Sequence, residues 1–208
     1  KDTQICHLLD QPTRERRSLT CFLSNSNSTM PTNLLKKYPE LLDLIGSLED
    51  IKKSLRGVYN RDIENNPDFK FRGIPIHPLK SEGQLDMDRT FMHLTTKEHE
   101  QYDDNGVLLP LKKREFDYNR SKRLHWINHN VHEIIPENLD IFTVVEWDSK
   151  KHQDVKHTYI IDTVGKHVIV FDRRGEKHFY LLTAYYMDDP YAEKKFKKLK
   201  KKKLPEVL

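Results

Sequence analysis

Two cysteines, seven glycines and no long apolar run set the first limits on this chain of 208 residues. Cys6 and Cys21 both sit near the N-terminus without a CxxC spacing, so they build neither a disulfide framework nor a zinc ribbon. A reducing compartment follows, with the cytoplasm of a bacterial host or target cell as the expected location; one disulfide closing the N-terminal arm is the alternative. No apolar stretch approaches the roughly 20 residues that span a bilayer, and no signal-peptide pattern opens the chain, so no membrane partner is expected. The first residue is Lys, as in a fragment or processed product. Phosphate loops of the GxxxxGK type, nucleophile elbows and HExxH are missing too, and with them the commonest nucleotide, acyl-transfer and zinc chemistries.

What is present is charge. A third of the residues are charged and the formal balance is +4, yet eight lysines between Lys194 and Lys203 account for more than all of it. Without them the body is slightly acidic. The run reads as a solvated, mobile tail over 191–208, with a weaker capacity to hold a polyanion. Asn27-Ser28-Thr29 and Asn119-Arg120-Ser121 match the glycosylation sequon by chance.

The most organised stretch is Ile141 to Tyr186. Ile141–Trp147, His157–Asp162, His167–Phe171 and Phe179–Tyr186 are rich in β-branched and aromatic residues, and the breaks between them are polar. Connections of nine residues or fewer leave no room for a crossover helix, so the spacing predicts an antiparallel four-stranded meander. Before it, Leu124, Ile127, Val131, Ile134 and Ile135 recur at helical spacing and predict one helix over 119–135 to cover the sheet. The expected fold is α+β: an arm and linker over 1–32, a helical region and loop-rich connector over 33–111, and the helix-on-meander domain over 112–190.

In the N-terminal part, Leu34, Leu41, Leu48 and Leu55 repeat every seven residues and predict a helix from Pro39 to Arg56, stopped by Gly57 and packed on its own domain. Between Tyr59 and Leu111 only Phe69–Phe71 and Arg89–Leu94 read as strand-like.

Three groups of residues carry chemistry. Lys112, Lys113, Arg114, Arg120, Lys122 and Arg123 form a basic cluster leading into the core helix. His125, His129 and His132 form a helical stripe, read as solvated or facing RNA because no further metal ligand accompanies it; no metal or other cofactor is expected. On the sheet, period-two alternation groups Leu181, Thr183 and Tyr185 on one face and Tyr180, Leu182, Ala184 and Tyr186 on the other. Lys156, His157, Tyr159, Arg173 and Arg174 join them in the same small unit. Imidazoles, guanidinium groups and hydroxyls suffice for metal-free RNA cleavage: a base takes the 2′-hydroxyl proton, cations hold the phosphate, and an acid protonates the departing oxygen.

The run Arg120-Ser121-Lys122-Arg123-Leu124-His125-Trp126-Ile127, followed by a meander whose last strand reads Phe179-Tyr180-Leu181-Leu182-Thr183-Ala184-Tyr185, resembles the phage and polymorphic-toxin members of the barnase–EndoU–colicin–RelE superfamily of metal-independent ribonucleases. The resemblance covers roughly residues 112–190. It implies a bacterial or phage toxin that cleaves RNA (tRNA or mRNA), with an antitoxin or immunity protein as a further partner. Arg123, His125, Thr183 and Tyr185 fall in its motifs, whereas His157 and Arg173 enter from the sheet argument. His157 is expected as base or acid, Arg123 and Arg173 as phosphate ligands, and Thr183 and Tyr185 as positioning groups. Lys112, Lys113, Arg114, Arg120, Lys122, Lys156 and Arg174 are expected to hold the nucleic acid. The alternative is a non-catalytic module binding nucleic acid or protein through the same sheet.

Overall fold

A computed structural model of the chain describes residues 32–110, 112–149, 151–175 and 178–207. The expected arm with Cys6 and Cys21 and the linker around Asn27 lie outside the described residues. The first helix, α1 (Leu48–Tyr59), begins nine residues later than the leucine spacing predicts. Ser47 sets the start: its hydroxyl accepts the Asp50 N–H at 3.2 Å while the Asp50 carboxylate accepts the Ser47 N–H at 3.3 Å, a reciprocal cap. Before it the chain is tied elsewhere, since Leu42 N–H bonds Lys122 O and the Asn33 side chain clamps both backbone groups of Asp43. Leu41, Ile45 and Leu48 are therefore exposed, and the heptad pattern makes no seam. Gly57 does not stop the helix, which runs through it into a five-residue π turn, Asn60–Glu64.

Short strands follow: β1 (Lys70–Phe71), β2 (Ile74–His77), β3 (Lys80–Ser81) and β4 (Gln84–Leu85). Then comes α2 (Met87–Thr95), capped by Asp86, whose carboxylate accepts the Arg89 N–H at 2.8 Å. Arg89–Leu94 is thus helix, not strand. A two-stranded ribbon pairs β5 (Thr96–His99) with β6 (Lys113–Phe116).

The single helix expected over 119–135 is two short ones, α3 (Tyr118–Ser121) and α4 (Trp126–Val131). The break has a cause: Lys122 O accepts from Leu42, and the turn closes by i to i+3 bonds such as Trp126 N–H to Arg123 O at 2.9 Å. Leu124, Ile127 and Val131 are buried as the spacing implied, but Ile134 is exposed.

The strands β7 (Leu139–Asp148), β8 (Gln153–Asp162), β9 (His167–Arg174) and β10 (His178–Tyr186) pair antiparallel in succession. The sheet has six strands, not four, in the order β1-β2-β10-β9-β8-β7, because β2 joins β10 in parallel. That pairing covers only Phe179 and Tyr180, and the remaining edge of β10 lies against α2 and α3. Finally α5 (Ala192–Lys200) follows, in place of the expected mobile lysine tail.

The two faces of the sheet differ. One carries Ile160, Ile169, Phe171, Phe179, Leu181 and Ala184 in a core shared with Leu55, Val58 and Tyr59 of α1, Phe71 of β1 and Ile127 of α4. That core draws on both sides of the boundary expected at residue 111, so 33–111 and 112–190 do not have separate interiors. The other face carries Phe142, Val144, Tyr159, Ile161, Val168 and Val170 beneath Ala192 and Phe196 of α5. No described helix is long and apolar enough to cross a membrane.

Candidate functional site

A β-bulge decides which residues of β10 face α5. The register to β9 shifts between Leu181, opposite Phe171, and Thr183, opposite Val170. Leu181 and Ala184 therefore belong to the sealed face, while Thr183 and Tyr185 turn to the face that α5 covers only in part. Simple alternation, which put Leu181 with Thr183 and Tyr185, is corrected here. Cross-strand rows on the α5 side run Val144–His157–Asp172–Tyr180, then Phe142–Tyr159–Val170–Thr183.

Thr183 and Tyr185 open into a cleft of about 640 Å³ whose walls come from α2 (Arg89, His93), the β5–β6 ribbon (Lys97, Glu98, Arg114), α3 (Arg120) and α5 (Lys195). Its charge is lopsided. Glu98 pairs with Arg114 at 3.4 Å and with Lys112 at 3.6 Å, whereas Arg89, Lys97 and Lys195 have no carboxylate within ion-pair distance among the described residues. Arg120 is fixed in place: its Nη1 donates to His93 O at 2.8 Å and Thr96 O at 2.9 Å, its guanidinium lies 5.9 Å from the Tyr185 ring, and its buried Nε has no hydrogen-bond acceptor. Arg114 Nη2 donates to His93 Nδ1 at 2.8 Å, which assigns the proton to Nε2. Burial, then the neighbouring Arg114 and Arg120 charges, push the His93 pKa down to about 4, so at neutral pH it is an uncharged donor. Burial likewise pushes the Tyr185 phenol up to about 12, aided by Glu146 and opposed by Arg120.

Beside the cleft, Glu146 of β7 accepts His157 Nδ1–H at 2.8 Å and the Tyr159 hydroxyl at 2.8 Å, both on the same carboxylate oxygen. The bond from His157 holds the carboxyl below its ordinary value, more than burial raises it, and Lys195 adds to the lowering. With Nδ1 committed, Nε2 of His157 has no hydrogen-bond partner among the described residues. Glu146 was missed in the sequence. Counting by twos from Phe142 through Val144 reaches it, and that alternation was the available signal.

The remaining expected residues scatter. Arg123 lies on the sealed side, its guanidinium 3.8 Å from the Tyr186 ring, with Nη1 donating to Asn119 O. His125 is 4% exposed and its pKa is pushed down to about 4, chiefly by burial. His129 stacks on Tyr38 at 4.2 Å, and both ring nitrogens of His132 bond backbone carbonyls. The three therefore do not share one solvated or RNA-facing stripe: of them only His132 is exposed. Among the described residues no group of three potential ligands is placed to hold a metal ion. Arg173 faces the sealed side over Phe179, with Nε bonded to Gly175 O. Arg173, Arg174 and Lys156 line a separate depression at the far end of the sheet, where Arg174 and Lys151 both bond the buried Asp172 carboxylate at 2.9 and 3.0 Å. Lys113 pairs with Glu115 at 3.2 Å, and Lys122 ends α3 by the turn to Leu42.

The groups that do converge are Thr183, Tyr185, Arg114, Arg120, His93, Lys97 and Lys195. Glu146 acts on Tyr185 and is acted on by Lys195, and His157 is tied to the set through Glu146. Cations, hydroxyls and an imidazole are the chemistry of anion binding and proton transfer. Comparison with known proteins gives no match to a family model, a curated protein or a solved structure.

Proposed function

We propose that the cleft binds RNA and cleaves it without a metal, by attack of a ribose 2′-hydroxyl on the adjacent phosphorus. One observation carries the reading: a cation-lined cleft with two strand hydroxyls shares, through Tyr185 and Lys195, the carboxylate of Glu146 that orients His157. His157 Nε2 takes the 2′-hydroxyl proton, and Glu146 balances the charge that then forms on the imidazole. The 2′-oxygen bonds to phosphorus as the P–O5′ bond breaks, leaving a 2′,3′-cyclic phosphate and a free 5′-hydroxyl. Arg120, Arg114, Lys97 and Lys195 offset the charge on the phosphoryl oxygens. Tyr185, protonated at neutral pH, and Thr183 donate hydrogen bonds, and Tyr185 is the group to deliver a proton to the departing O5′. Arg173, Arg123 and His125 have no part in this reading. It fits a toxin acting on tRNA or mRNA, with an antitoxin or immunity protein as its natural inhibitor.

The test is total RNA incubated with the full chain in EDTA, followed by analysis of the new ends. Cyclic phosphate ends from the wild type, and a large loss in Tyr185→Phe and His157→Ala, support the proposal. RNA that shifts on a gel yet stays whole would make the chain a binding module instead.

A further inference from the structure

The lysine-rich helix at the end of the chain is anchored in place. Ala192 and Phe196 are buried in the second core, and Lys200 Nζ bonds both Asp140 carboxylate oxygens, at 2.7 and 2.6 Å. Beyond the helix the chain joins the free edge of β7, where Lys203 bridges Val144 and Leu204 N–H bonds Thr143 O at 2.7 Å. From its start after Met187 to that bridge, the segment crosses the sheet from the β10 side to the β7 side.

At about 100° per residue the lysines divide into two flanks around the buried Phe196. Lys197 and Lys200 lie on one flank, bordering a depression with Asp140, Thr163 and Glu193. Lys195 and Lys198 lie on the other, and Lys202 follows in the turn after the helix ends. Lys195 lines the cation cleft and acts on Glu146, so at that residue the helix borders the half of the sheet that holds Glu146 and its partner His157. One flank is bordered by carboxylates. The other begins at the cleft, with Lys195. Asp188 and Asp189 border the first turn of the helix beside Lys195, but Lys198 lies one turn farther along and Lys202 beyond the helix's last residue. Among the described residues Lys200 is the only lysine of α5 with a carboxylate within ion-pair distance.

We propose that Lys195, Lys198 and Lys202 form a phosphate-binding rail that carries the RNA strand away from the cleft, along α5 and past the His157 row. This rests on the cleft binding RNA, and it adds that the substrate is a strand long enough to reach beyond the reacting phosphate. A lysine stripe of this kind grips the backbone by counterion release and reads no sequence.

The helix supplies its own control. Lys198→Gln with Lys202→Gln removes two charges from the rail, and Lys197→Gln with Lys201→Gln removes two from the rest of the helix. Binding is measured with a 2′-O-methyl RNA strand, which lacks the attacking hydroxyl, over a range of salt. The rail pair is expected to weaken binding on the order of tenfold at low salt and to reduce the salt slope by about 1.4, two contacts at roughly 0.7 each. The control pair should change little, and a 2′-O-methyl dinucleotide should bind the rail variant as it binds the wild type. Equal losses in both pairs, or none in either, overturn the rail. So does polyglutamate competing with the RNA for the wild type but not for the rail variant, since that would assign the stripe to an acidic protein. Lys97→Gln with Arg89→Gln distinguishes the two levels: if these also leave RNA binding intact, the cleft itself is misread, and if they alone weaken it, only the rail fails.

Discussion

The two faces of the central sheet use the same four strands for different ends. On one, Ile169, Phe171, Phe179 and Leu181 lie under α1 and α4 with no exposed polar group among them. On the other, the pattern gives way partway along each strand: Val144 is followed by Glu146, Tyr159 is preceded by His157, and Val170 is followed by Asp172. α5 covers the apolar half; in the polar half Glu146 and His157 stay partly exposed, while Asp172 is buried beneath Lys151 and Arg174. Stability is concentrated on the first face, and charge that can meet a ligand on the second.

Substitutions that separate activity from stability break or sharpen this contrast. His157→Ala should lower the cleavage rate about 10²- to 10⁴-fold while leaving the denaturant midpoint nearly unchanged, read by a single-turnover RNA assay beside urea unfolding. Its mirror is Phe171→Ala, which empties a fully buried site in ring contact with Phe71 and Phe179. That change should cost about 3–5 kcal/mol in equilibrium unfolding, and the protein that still folds should cleave RNA at the normal rate.

In pH the two faces behave alike. Burial first of all holds His125 and His167 on the sealed side and His93 in the cleft neutral, with pKa values pushed down to about 4, about 3 and about 4. The unfolded chain binds protons at these groups from about pH 6.5 downward while the folded chain does not. Stability is therefore complete above that pH and falls from about 6.5 down to about 4, and for His167 down to about 3, by on the order of 2 kcal/mol for each histidine at pH 5. Urea midpoints at pH 7 and pH 5 test this, and His125→Leu should flatten the loss. The smallest effect expected is that of Glu146→Gln, which keeps an acceptor for Tyr159 but removes the charge that balances the imidazolium. A rate loss of about tenfold, or about 1.4 kcal/mol, with unchanged RNA binding would place Glu146 as a positioning residue.

Much of the sheet was legible from local pattern. The four long strands were placed within a few residues, because their β-branched runs and polar breaks are local signals. What went unseen depends on partners distant in sequence. The helix over 119–135 is broken by Leu42 taking the Lys122 carbonyl, and β2 joins β10 across a hundred residues. The bulge at Leu182 reverses the faces that alternation assigns, so Thr183 and Tyr185 were grouped with Leu181 although they point the other way. In α5 the pair Ala192 and Phe196 was there to be read, four residues apart, but the lysines around it masked a buried stripe. The site was half legible. Thr183, Tyr185, Arg114, Arg120 and His157 are readable as site residues, while Arg123, His125 and Arg173, expected in the same pocket, lie on the sealed side. Glu146, His93, Lys97 and Lys195 come to the site only through the fold.

The most direct measurement is a titration of the full chain, labelled with nitrogen-15 in its histidine rings, with 2′-O-methyl RNA. Ring signals of His157 and His93 should move with the added strand, while those of His125 and His167 stay where they are. Movement at His125 or His167 with none at His157 would contradict the account, because it would put the RNA on the face assigned here to stability.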